Sequence, residues 1–213
     1  MKNNISELVF ILDRSGSMRG LESDTVGGFN SLIEKQKQQE GKCRVTTVLF
    51  NNQSATLHDR AELAELEPMR EEDFRVCGCT ALLDALGDTI RHIAQIHRYA
   101  RAEDVPEHTT FVIMTDGLEN ASRRYDSATV KRMIEHEKEK YGWEFLFLAA
   151  NIDAVETAAR MGIGVERAVN YRADGRGTRV AYEAVGETVC MARAGKPIAA
   201  NWKDKIDQDF SSR

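Results

Sequence analysis

Apolar runs too short for a helix alternate with segments of helical periodicity along nearly the whole chain, and that alternation leaves few folds open. Residues 7–12 (ELVFIL) are closed by Asp-Arg-Ser-Gly, the pattern of a buried strand. A helical segment follows, with Val26, Phe29, Leu32 and Ile33 on one face and a polar run, 34–40, ending at Gly41. Residues 44–50 (RVTTVLF) are β-branched and apolar. Turn residues at 51–54 then lead into 55–59, polar enough for an edge strand that returns as a hairpin partner. The spacing of Leu82, Leu86, Ile90, Ile93 and His97 predicts a helix over 81–98, and 109–114 is a third apolar strand. A helix over 127–141, with Val130, Met133, Ile134 and Tyr141 inward, precedes a strand at 143–150. A short helix at 154–161, a short strand at 168–171 and a helix at 180–193 complete the pattern.

Strands separated by helices of ten or more residues imply βαβ units: an α/β, doubly wound, mostly parallel sheet with helices on both faces and right-handed crossovers. We read one domain, 1–195, and a tail, 196–213, in which Ile198, Trp202, Ile206 and Phe210 fit a docked helix as well as a frayed terminus. The net charge of −5, with no basic block, argues against nucleic acid as a partner. No apolar run is long enough for a membrane span, and the N-terminal one is too short for a secretion signal. The four cysteines then read as reduced thiols of a cytoplasmic protein.

In such open sheets ligands sit beyond the carboxyl ends of the strands, at the point where strand order reverses. The residues following the strands therefore matter most. Asp13-Arg14-Ser15-Gly16-Ser17 follows the first strand, Thr115-Asp116-Gly117 follows the strand at 109–114, and Cys79-Thr80-Ala81 opens the helix at 81–98. Each has an ordinary reading as a turn or a helix cap. Jointly they bring two carboxylates and three hydroxyls to one end of one sheet. These are hard oxygen donors suited to a small divalent cation, Mg²⁺ first, Mn²⁺ or Ca²⁺ as alternatives. Two negative charges leave the dication near neutrality and leave room for water or an outside carboxylate.

The three segments, in this order, resemble those of the von Willebrand factor type A family: Asp-x-Ser-x-Ser at 13–17, Gly78-Cys79-Thr80 before an apolar helix, and Thr115-Asp116-Gly117. The resemblance spans roughly residues 6–195. It implies a six-stranded sheet with one antiparallel edge strand and a metal-ion-dependent adhesion site formed by Asp13, Ser15, Ser17, Thr80 and Asp116. It further implies that the open coordination position takes a carboxylate from a protein partner. The family serves adhesion outside cells and complex assembly inside them; the lack of a secretion signal points to the second use, and the compact single domain to a bacterial cytoplasm.

The leading expectation is therefore a non-catalytic, cation-dependent protein-interaction module. A metal-assisted hydrolase or phosphotransferase is the alternative. It wants an acid or base close behind Asp13, where this chain has serines, poor bases at neutral pH. A scaffold with a purely structural metal is the third reading. Around the cluster, Arg14 and Arg19 are candidates to recruit an acidic group, Glu119 and Asn120 to lie at the rim, and Asp153 to cap the helix at 154–161. Cys77 and Cys79 are expected to be packing residues.

Overall fold

A computed structural model describes residues 4–212. Its sheet has six strands, β1 (Ile5–Asp13), β2 (Lys42–Phe50), β3 (Ser54–Glu62), β4 (His108–Thr115), β5 (Glu144–Ala149) and β6 (Ala168–Asn170). They lie in the order β3-β2-β1-β4-β5-β6. All neighbours are parallel except β2 and β3, so the expected antiparallel edge strand is present at β3. The helices are α1 (Glu22–Lys37), α2 (Leu82–Tyr99), α3 (Ser127–Tyr141), α4 (Ala154–Arg160), α5 (Gly175–Arg193) and α6 (Asp204–Ser211). The α/β doubly wound architecture is the one the alternation dictates.

The period-two alternation of β1 sorts the core into two layers. Leu8, Phe10 and Leu12 face a cluster with Phe29 and Leu32 of α1, Val185 and Val189 of α5 and Ile206 of α6. Val9 and Ile11 face Leu86 and Ile90 of α2, Ile134 of α3 and Ala158 of α4. Along the second layer Trp143, Phe111 and Phe145 stack with centroids 5.2 and 4.8 Å apart. Such side chains contribute about 1.5–3 kcal/mol each on full burial.

Several boundaries differ from the sequence reading. Helix α5 begins at Gly175 rather than at 180, because the Asp174 carboxylate caps it by accepting from the Gly177 N–H at 2.7 Å. Tyr141 is not inward: it is half exposed, since α3 ends there and Gly142, at φ +66°, turns the chain away. In the tail, α6 packs Ile206 into the first layer, and Lys203 Nζ donates to the Val165 and Ala168 carbonyls at 2.8 Å beside the β6 edge.

Arg193 joins the C-terminal ends of α1 and α5. It is buried, and its guanidinium donates to the Gln36 and Gly41 carbonyls at 2.7 and 3.2 Å. Replacement by Met keeps the stem and removes the donor that both carbonyls share, leaving Gln36 O only its backbone partners. Arg193→Met is expected to lower stability by about 2 kcal/mol, read as a lower urea midpoint at unchanged slope; an unchanged midpoint would refute this role.

Candidate metal centre

Strand β1 is the point where the strand order reverses, since β2 lies on one side of it and β4 on the other. The carboxyl end of β1 therefore faces the crevice that open α/β sheets use for ligands. Asp13 is its last residue and is 1% exposed. One carboxylate oxygen accepts from the Ser15 N–H at 2.7 Å, which folds the loop after the strand back on itself. The other accepts from the Thr115 hydroxyl at 2.6 Å, which ties β1 to β4. The Asp13 carboxylate is thus held from both sides in one orientation.

Of the other residues expected here, Ser15, Thr80 and Asp116 are buried and Ser17 is exposed. Ser15 Oγ and Ser17 Oγ are 3.0 Å apart, and Ser17 Oγ donates to Asp116 Oδ1 at 2.5 Å. Asp116 Oδ2 is buried with no hydrogen-bond partner among the described residues. Gly117 leaves space that a side chain would fill: a Cβ there would lie 3.2 Å from Ser17 Oγ and 3.3 Å from Thr80 Oγ1. The structure thus brings Ser17, Thr80 and Asp116 together around Gly117, with Asp13 and Ser15 joined to them through Ser17 and Thr115.

Three loops are knit by their backbones. Gly16 N donates to the Gly78 carbonyl and Cys77 N to the Arg14 carbonyl, each at 3.0 Å. Thr80 N donates to Asn120 Oδ1 at 2.9 Å, while the Asn120 and Ala121 N–H groups donate to the Thr80 carbonyl at 3.0 and 3.1 Å. Glu119 accepts from the Leu83 N–H at 2.9 Å, and Asp84 accepts from the Arg124 and Tyr125 N–H groups at 2.9 and 3.0 Å. Glu119 and the exposed Asn120 therefore also clamp the start of α2, each supplying an acceptor to a backbone N–H there.

Electrostatics favour a cation here. Burial pushes the Asp13 carboxyl above its ordinary range despite the bonds from Thr115 and Ser15. Asp116 is pushed up by burial, which outweighs the Ser17 bond, and further by the charge of Asp13. Two carboxylates kept close in a poorly hydrated crevice are relieved by a dication. Among the described residues no three His, Cys, Asp or Glu side chains gather as a metal-binding group. The donor set leans on hydroxyls instead, which suits a hard ion rather than a soft one.

Three neighbouring expectations have different outcomes: the cap at Asp153 is met and the packing of the cysteines is not. Arg14 is half buried, with Nη1 3.5 Å from the Asp73 carbonyl, whereas Arg19 is exposed. Asp153 caps α4 through the Glu156 N–H at 2.9 Å. Cys77 and Cys79 are exposed rather than packed, because their loop lies over the ends of the strands and turns at Gly78 with φ +78°. Thr115 escaped the sequence reading although it stands inside a motif singled out there; a hydroxyl ending the strand beside Asp13 was the available signal.

No family model matches the chain, and no curated protein matches it by sequence. Solved structures do match. A von Willebrand factor type A protein from Catenulispora acidiphila is 12% identical with a TM-score of 0.60, covering 87% of this chain and 42% of that one. Proximal thread matrix protein 1 of the mussel byssus, in a structure with a zinc-occupied MIDAS motif, is 14% identical with a TM-score of 0.58, covering 87% and 46%. The manganese-loaded TRAP protein of Plasmodium vivax is 14% identical with a TM-score of 0.59, covering 90% and 75%. The chain spans less than half the length of the first two. The likeness is one of fold, and the fold is that of the von Willebrand factor type A domain.

Proposed function

We propose that the chain is a divalent-cation-dependent protein-interaction module whose ion is held by Asp13, Ser15, Ser17, Thr80 and Asp116. The observation that carries this reading is the buried, unpartnered Asp116 Oδ2 beside two convergent hydroxyls. A buried acceptor without a donor is costly, and a cation is the ligand that satisfies it. Mg²⁺ is the proposed ion, because a small hard cation prefers oxygen donors and keeps several waters. Exposed Ser17 marks the open side, where a partner carboxylate would displace water and complete the shell. Two of the solved structures of this fold hold zinc at the MIDAS motif and manganese, which supports a divalent ion in this fold.

In this reading the protein binds and does not catalyse. Asp13 and Asp116 supply charge, the hydroxyls supply neutral oxygens, and Thr115 positions Asp13 without touching the ion. Among the described residues no helix is long and apolar enough to cross a membrane; work in a cytoplasm is part of the proposal.

The test is affinity capture with the tagged full chain, run with Mg²⁺ and with chelator side by side. A protein partner recovered with Mg²⁺ is expected to be lost with chelator and with Asp13→Ala, while circular dichroism shows both proteins folded. Partner retention under both conditions would contradict the reading. Chelation that unfolds the chain would favour a structural ion. Turnover of a generic phosphoester, abolished by Asp116→Ala, would favour an enzyme.

A further inference from the structure

The layer of helices formed by α2 and α3 holds cavities that the proposed function does not use. The two helices flank a groove of about 730 Å³ that adjoins an inner cavity of about 180 Å³, and Ala94, Arg98, Glu137 and Tyr141 line both. His97 and Trp143 line the inner part. Arg91, Arg98, Arg132 and Lys140 are exposed around the groove, a local concentration of positive charge on a chain of net charge −5. Arg98 lies over Tyr99, Lys140 over Tyr141, and Arg132 donates to Thr129; Lys140, with His97 and His136, also acts on Glu137 by its charge.

At the floor the charge reverses. Glu137 is 7% exposed, and its Oε2 has no hydrogen-bond partner among the described residues. It stands four residues from both Met133 and Tyr141, in the middle of the stripe that α3 turns toward α2. A hydrophobic residue would pack there at less cost, since a buried acceptor without a donor is unfavourable.

We propose that this groove binds a small zwitterion, with an amine donating to Glu137 and a phosphate or carboxylate held by the arginines. A plain anion would meet the Glu137 carboxylate at the floor, and a plain cation would be repelled at the rim. Arg98 and Glu137 line the same cavities, so one small molecule reaches both. The site is independent of the proposed metal centre. His97, which lines the inner cavity, bonds Glu7 near the start of β1, about 20 Å along the strand from Asp13 at its end.

Calorimetric titration of the full chain tests this, with phosphoethanolamine and β-alanine as zwitterions and, as controls of one charge sign, the matching anion (inorganic phosphate or propionate) and ethanolamine. At least one zwitterion is expected to bind about tenfold tighter than either control, and which one does so identifies the anionic end as phosphate or carboxylate. Glu137→Gln is expected to reduce that ligand to the level of its control, Arg98→Ala with Arg132→Ala to abolish binding, and Asp13→Ala to leave it unchanged. Thermal unfolding checks that each variant is folded. Neither zwitterion binding tighter than about 10 mM, or equal binding by wild type and Glu137→Gln, would overturn the proposal.

Discussion

Asp13→Ala is expected to weaken divalent-ion binding by more than about 100-fold while leaving the fold intact. The bound comes from comparison with its neighbour. In the proposed site Thr115 would act on the ion only through Asp13, to whose carboxylate it donates at 2.6 Å. Losing an outer partner of that kind costs about 10–100-fold in metal affinity, so Thr115→Val falls in that range and loss of the anchor itself exceeds it. Isothermal titration with Mn²⁺ measures both. Equal losses in the two variants would mean that Asp13 does not anchor the ion.

The largest effect on stability is expected at Glu7. This carboxylate is fully buried and accepts from Arg60 Nε at 2.6 Å and from His97 Nε2 at 2.5 Å. The side chains of Arg60 and His97 are only 12% and 10% exposed. Glu7→Ala leaves a buried guanidinium without its counter-charge, and a loss of about 3–5 kcal/mol is expected by denaturant unfolding. Replacing all three residues by apolar ones of similar volume is expected to cost less than Glu7→Ala alone; the reverse order would contradict the argument.

The same triad gives a pH dependence. Burial pushes the Glu7 carboxyl up, but the bonds from His97 and Arg60 and their charges outweigh it, leaving it below its ordinary value of 4.5. A carboxyl whose folded-state value is depressed contributes stability that is present above the unfolded value and lost as pH falls through the folded one. Stability is therefore expected to decline in acid below about pH 4.5, and less steeply in the triple apolar variant.

Why the sequence disclosed one site and hid the other follows from their geometry. The strands and their alternation are periodic features, and parallel crossovers force the residues after β1 and β4 into one crevice. Asp13 and Asp116 were legible because topology alone brings them close. Glu7 was readable only as the opening residue of a strand. Its partners come from β3 and α2, and Arg60 is aimed by a left-handed backbone, φ +48°, in a stretch where β3 slips register against β2. No local pattern announces a bulge of that kind. The start of α5 was missed because Gly175 and Gly177 look like loop, although Asp174 supplies an ordinary cap. Glu119 and Asn120 are legible as neighbours of the third loop but not as a clamp, since the N–H groups they satisfy lie some 40 residues earlier, at the start of α2.

A titration of Mn²⁺ into chelator-stripped protein, following the free-ion electron paramagnetic resonance signal, tests the metal centre most directly. One ion is expected to bind per chain, displaced by excess Mg²⁺ and absent in Asp116→Asn. No bound ion up to about 1 mM, or identical titrations for wild type and Asp116→Asn, would contradict it.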